Sequence, residues 1–234
     1  MKQWEAVVQA LEKLGGEATL AELYSAVMDI KECVWGTRTP MASIRRILQT
    51  RHEFVRIRPG LWALRERRGK DSLRSRQSLL DVHAYYQGIL ASIGKWKGLD
   101  IYIPPSDRSK YFARRPLKEY TTLVRIPACS YPHFVKIMSH VDVVWFNCRK
   151  MPESFFEIEH TTDFRDSLVK FVELQDFAAR MYIVADEKRK KQFDRVASFD
   201  AFTPIRDRVQ FLNYEELGRR YEVEVQKASL SNVL

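Results

Sequence analysis

Cysteine is scarce: Cys33, Cys129 and Cys148 are the three in 234 residues. Their odd number and irregular spacing exclude a disulfide framework and a zinc knuckle. A reducing cytosol, hence a cytoplasmic protein, is the expected setting. Long apolar runs are missing too. No stretch approaches the roughly 20 residues of a membrane span, so no membrane partner is expected. The start, MKQWEAVVQALEKLGG, is charged and then apolar, but Glu5 and Glu12 interrupt it. It therefore reads as an amphipathic helix and not as a signal peptide. No internal repeat is visible. Acidic residues are the minority charge: 30 Asp and Glu stand against 39 Lys and Arg, a net charge of +9. Such an excess favours a polyanionic partner, most often nucleic acid.

What is present suffices for real cores. At 45% hydrophobic residues the chain can build one large domain, or a small one and a medium one. Trp4, Val7, Val8, Leu11 and Leu14 recur at helical spacing, and Gly15-Gly16 ends that helix. Thr19 can cap a second helix, from Leu20 to about Ile30. Thr39-Pro40 opens a third, with Ile44, Ile47 and Leu48 on its buried side. Phe54–Ile57, then Arg58-Pro59-Gly60, then Leu61–Leu64 reads as a hairpin. Three short helices and a hairpin predict a winged helix-turn-helix over residues 1–67.

The stretch TPMASIRRILQTRHEFVRIRPGLWAL resembles the HARE-HTH type of winged helix, its F-x-R-x-x-P-G-x-W-x-L ending above all. The resemblance implies a module that targets the chain to DNA. In a winged helix the third helix enters the major groove and the wing touches the backbone or minor groove. The expected DNA-binding residues are Arg38, Ser43, Arg45, Arg46 and Gln49 in or beside the third helix, and Arg56 and Arg58 in the wing. Trp35 could stack on a base, while Trp4 and Trp62 read as core.

Residues 68–76, within the basic run RERRGKDSLRSR, read as a linker, and a second domain is expected over 77–234. It shows a helix over 79–93 and strands near 99–103, 141–146, 155–158, 181–184 and 209–212. Helices are expected at 162–179, 188–196 and 214–219. The fold class is α+β or α/β: a mixed sheet flanked by helices.

The chemistry is concentrated in HVDVVWFN and FFEIEHTTDFRDSLVKFVEL. Glu157 and Glu159 are two apart on one strand, so they share a face, and Asp142 lies on the preceding strand. If the strands pair as a hairpin, three carboxylates converge, a hard-oxygen set suited to Mg²⁺ or Mn²⁺. A Glu-x-Glu on a strand is also the ordinary pattern of a solvated face. The order strand-Asp, strand-Glu-x-Glu, helix resembles the PD-(D/E)XK nuclease superfamily, and FEIEHTTDFRDSLVKFVEL resembles an E-V-E-H-T-T variant in restriction-endonuclease-like proteins. By that resemblance Asp142 and Glu157 hold the metal, and Glu159 stands where the superfamily usually has Lys. Lys170 or Arg165 on the next helix could supply a migrated cation, or each could be an ordinary exposed residue. Gln87 or His83, one turn apart on the first helix of the domain, could fill the place of the superfamily's polar helix residue. His160 is either a capping group or a catalytic one, and Thr161 or Thr162 is the expected cap of the next helix.

The resemblance implies a Mg²⁺-dependent endonuclease of restriction or defence type acting on double-stranded DNA. Cutting both strands calls for a homodimer, and a partner methyltransferase or defence-system subunit is a further expectation. The Glu-for-Lys departure keeps a second reading open, a DNA-binding regulator on a catalytically inactive nuclease fold.

Overall fold

The computed structural model describes residues 1–65 and 82–231. The 68–76 linker and the start of the second domain at 77 lie outside the described residues. The chain divides into two compact units: Met1–Leu80 with Gly218–Leu234, and Asp81–Leu217. No helix of the described residues is long and apolar enough to cross a membrane.

In the first unit, α1 (Gln3–Lys13) buries Ala6, Val7, Ala10 and Leu11. It ends where Gly15 and Gly16 take φ of 81° and 95°, conformations that favour residues without a Cβ. β1 (Glu17–Thr19) follows, too short to show a period in the sequence. Thr19 then caps α2 (Leu20–Met28). Its backbone N–H donates to Glu22 Oε2 at 2.9 Å, and its hydroxyl accepts from the Glu22 N–H, a reciprocal capping box. Pro40 opens α3 (Pro40–Thr50), which buries Ile44 and Leu48. β2 (Phe54–Arg58) and β3 (Leu61–Leu64) turn back through Gly60 at φ 82°. The three strands form an antiparallel sheet in the order β1-β3-β2.

The second unit begins with α4 (Val82–Trp96), buried continuously from Ala84 to Gly94. Next come β4 (Asp100–Tyr102), the short hairpin strands β5 (Tyr111–Phe112) and β6 (Arg115–Pro116), and α5 (Pro132–Met138). Then follow β7 (Val143–Phe146), β8 (Pro152–Glu159), α6 (Phe164–Glu173) and β9 (Arg180–Ala185). The unit closes through α7 (Lys190–Ala197), β10 (Val209–Asn213) and the first turn of α8 (Tyr214–Ser231). The sheet order is β10-β9-β8-β7-β4. β4, β7 and β8 run antiparallel; β8, β9 and β10 run parallel. This is the mixed sheet with helices that the alternating pattern implied.

Several boundaries differ from the sequence reading. The helix expected over 162–179 is α6, capped by Asp163, whose carboxylate accepts from the Arg165 N–H at 3.1 Å, and not by Thr161 or Thr162. Asp142 lies just ahead of β7, not within it. The short helix expected at 214–219 runs on to Ser231, and from Gly218 onward it packs in the first unit. There Gly218 admits Pro59, since a Cβ at Gly218 would stand 2.2 Å from the proline Cβ. Tyr221 and Val225, one turn apart, are buried, and Glu222 pairs with Arg45 at 2.7 Å.

Candidate functional site

One row of the large sheet changes character along its length. Val144 and Phe146 on β7, Phe155 on β8, and Met181, Ile183 and Ala185 on β9 belong to one core cluster with Phe164, Leu168 and Phe171 of α6. Strand alternation puts Glu157 and Glu159 on the same face as Phe155, and Asp142 in line with Val144. The row is apolar at one end of the sheet and acidic at the other, where β4 and β8 finish and β7 begins. Val143 pairs with Phe156, so continuing the register by one sets Asp142 opposite Glu157.

Glu157 is 2% exposed. Lys170, one turn from Ser167 on α6, brings its Nζ to 2.7 Å from the Glu157 carboxylate, and Ser167 Oγ donates to Glu157 Oε2 at 3.1 Å. Ser167 and Thr162 hydroxyls also hold the two oxygens of Glu159, which is 6% exposed. The Arg189 guanidinium donates to the Glu159 carbonyl at 2.7 Å. Burial and then the charge of Asp142 push the Glu157 carboxyl well above the usual carboxylate range, against the pull of Lys170 and Ser167. Burial is the larger cause, and the Asp142 carboxylate beside Glu157 adds to it.

Asp142 joins this pocket to a second one. Its Oδ2 accepts from the Ile158 N–H at 2.7 Å, and its Oδ1 lies 3.4 Å from His83 Nε2. Asp107, in the polar loop after β4, is 3.9 Å from His83 Nε2, receives Lys110 Nζ at 2.8 Å, and accepts from Gln87 Nε2 at 2.9 Å. The Gln87 amide also donates to the Asp142 carbonyl at 3.1 Å, while its buried oxygen has no hydrogen-bond partner among the described residues. His83, Asp107 and Asp142 offer ligand atoms within 4.8 Å of one another, a candidate acidic metal-binding group. Burial alone would lower the His83 imidazolium, but the hydrogen bond and charge of Asp142, with the charge of Asp107, raise it. Burial would raise Asp107, but Lys110 and Gln87 bring it below the usual carboxylate range.

The sequence-picked residues thus part into three groups. Asp142, Glu157, Glu159, Gln87 and His83 meet at one end of the sheet. Lys170 joins them through Glu157 and is no ordinary exposed residue. Arg165 is instead 3.8 Å from Asp163, its guanidinium over the Phe199 ring. His160, just past the strand, lies within 3.4 Å of the Tyr214 hydroxyl. Asp107 escaped the sequence reading. Its loop follows Pro104-Pro105, just past the end of β4, but nothing local says the loop returns to α4. In the first unit Arg38, Arg46, Gln49 and Arg56 are exposed, and Ser43 and Arg58 are half-buried. Arg45 is not available as a DNA contact in the same way, because it neutralises the buried Glu222.

A protein-family model described as "Type II restriction enzyme NmeDI C-terminal domain" matches residues 69–233. The curated "Type II restriction enzyme NmeDI" of Neisseria meningitidis serogroup C is 28% identical over 138 residues. That match covers 52% of this chain and 39% of the relative, so the chain spans well under half of the relative's length. No solved structure matches.

Proposed function

Because this chain belongs to the family of the type II restriction enzyme NmeDI C-terminal domain, we propose that it is a restriction-type DNA endonuclease with a PD-(D/E)XK-like site. The observation that carries this reading is the acidic end of the sheet: Glu157, buried, opposite Asp142, and still raised despite Lys170 at 2.7 Å.

The donor set fits a divalent cation. Carboxylate oxygens suit Mg²⁺ or Mn²⁺, and two carboxylates whose charges oppose each other call for positive charge between them. Asp142 and Glu157 would hold it, with Asp107 and His83 as further donors within reach of Asp142. When bound, such an ion stabilises charge on the scissile phosphate and makes a water molecule more acidic. The chain's own groups do the rest. Ser167 and Thr162 fix the Glu159 carboxylate, and Gln87 fixes Asp107. Lys170 supplies the ammonium that Glu159, in the place usually held by lysine, cannot. Glu159 can accept a proton, and Lys170 can donate one hydrogen bond while offsetting phosphate charge.

In the same reading the first unit is the targeting module, a winged helix in which α3 enters the major groove through Arg46 and Gln49, and β2 and β3 form the wing with Arg56. The substrate is duplex DNA, and a homodimer serves the two strands. Incubating the chain with plasmid and phage DNAs of differing modification, with and without Mg²⁺ or Mn²⁺, tests the proposal. Cation-dependent cleavage lost in Glu157→Ala is the expected result. No cleavage of any substrate together with no cation binding by calorimetry refutes it. The Glu157–Lys170 pair also supports the second reading, a silent nuclease fold that binds DNA. Duplex binding without cleavage in the same experiment would favour that one.

A further inference from the structure

The loop that carries Asp107 runs on into KYFARRPLK, residues 110–118, with four basic side chains and no acidic one. It folds as the hairpin β5–β6, with Tyr111 opposite Pro116 and Phe112 opposite Arg115, so Ala113 and Arg114 alone make the connection. Ala113 takes φ 53°, a left-handed conformation at a turn position where glycine is usual. The chain tolerates it here, and the tightness of the turn puts Arg114 at the tip.

The hairpin is pinned to the site from two sides. Beneath it, Phe112 is buried against Gly88, where an added Cβ would stand 2.0 Å from the phenyl ring. Gly88 is the residue after Gln87 on α4, so the helix that holds Asp107 and Asp142 through its amide also seats the hairpin. At its entrance, Lys110 pairs with Asp107 at 2.8 Å. Above, Tyr111 is 63% exposed, and Arg114, Arg115 and Lys118 are exposed. Arg115 has Glu119 at 3.9 Å, an exposed pair of little energetic weight.

We propose that this hairpin is a phosphate clamp: Arg114, Arg115 and Lys118 grip the duplex backbone beside the bond to be cut. The inference rests on the reading of the chain as a DNA endonuclease. A hairpin already seated by Phe112 on Gly88 has little backbone freedom left to lose on binding, so the cost falls on the side chains alone. Contacts to phosphate fix register and orientation without reading sequence. A mount shared with Gln87 makes that register the register of the site.

The test uses the full chain, a short duplex and no divalent cation, with binding read by fluorescence anisotropy from low to moderate salt. Replacing Arg114→Ala and Arg115→Ala together should weaken binding about tenfold or more and lower the slope of log K against log salt by about 2. Arg114→Lys with Arg115→Lys should keep most of that slope. A control pair, Arg149→Ala with Arg180→Ala, removes the same charge at the opposite end of the sheet, where both side chains are exposed. It should leave the slope nearly unchanged. Melting temperatures should agree across the set. An unchanged slope in the hairpin variant, or the same loss in both alanine pairs, overturns the clamp while leaving the endonuclease reading intact. A wild-type chain that neither binds nor cuts any duplex overturns that reading, and the clamp with it.

Discussion

Two buried glutamates, each with one cation at 2.7 Å, sit in very different company. Glu222 in the first unit is 5% exposed and faces Arg45. The nearby Tyr24 hydroxyl is pushed up to about 12, chiefly by burial, and stays neutral. Glu157 in the second unit is 2% exposed and faces Lys170, but Asp142 lies opposite and Glu159 shares its Ser167 donor. Among the described residues the first arrangement sets one charge against one countercharge. The second has more negative groups than its lysine offsets. Two buried ion pairs of the same length can therefore sit in opposite electrostatic surroundings. The neighbours tell them apart.

The sharpest way to break that comparison is to remove each glutamate's carboxylate. Glu157→Ala should cut cleavage by about 10³-fold or more, the loss of several kcal/mol of stabilisation at the reacting phosphate. Duplex binding in the absence of divalent cation should survive. Glu222→Ala should leave the cleavage rate per folded molecule intact. Equal rate losses in the two variants, measured by initial rates on plasmid DNA, would show that the carboxylates do not differ as supposed.

Removing the cations comes next. Lys170→Met strands Glu157 in the interior and should destabilise the apo chain by about 3 kcal/mol in denaturant unfolding. Arg45→Met should cost about 2 kcal/mol, less because that guanidinium reaches partly into water. The glutamate partners should respond with opposite sign. Glu157→Gln relieves repulsion from Asp142 and should hold or raise stability, whereas Glu222→Gln weakens a balanced pair and should lower it. Stability falling alike in both glutamine variants would contradict an excess of negative charge at the sheet end.

These contrasts also show what was legible in the sequence. Helix starts and stops in the first unit are local chemistry: the Thr19–Glu22 capping box, Pro40 at the head of α3, Gly60 at the hairpin. Each is decided within a few residues of itself. The Glu157-x-Glu159 pair was legible for the same reason, since period two is a local rule. Asp107 and the Lys170–Glu157 pairing are contacts across the fold and have no local signature. The last helix divides the two kinds of information. Tyr221 and Val225 recur at helical spacing, but which unit they would pack in depends on Pro59 and Arg45, more than 150 residues earlier.

On the first unit's surface the comparison can be sharpened by sparing Arg45. Arg46→Ala with Gln49→Ala, both exposed on α3, should weaken duplex binding about tenfold at moderate salt, roughly 1.4 kcal/mol, with the melting temperature unchanged. Arg45→Met should do the reverse, lowering the melting temperature more than the affinity of the folded protein. Unchanged affinity in the Arg46 and Gln49 variant would remove α3 as a DNA-contacting helix.

The smallest effect is a pH slope. His83 is raised above the ordinary histidine value because Asp142 and Asp107 outweigh the cost of burying it. A raised group stabilises the fold fully below its unfolded value, about 6.5, and that contribution is lost as pH climbs through the folded value. The apo chain's unfolding free energy should therefore fall over the range just above 6.5, and His83→Gln should flatten the fall. Asp107 is lowered and acts in the opposite direction: its contribution is present above the ordinary aspartate value and is lost as pH drops through the folded one. Asp107→Asn should thus flatten the acid side and leave the neutral side sloping. If His83→Gln leaves the neutral slope as it was, the imidazole is not held by the charge of Asp142, and the two pockets that Asp142 joins are electrostatically separate.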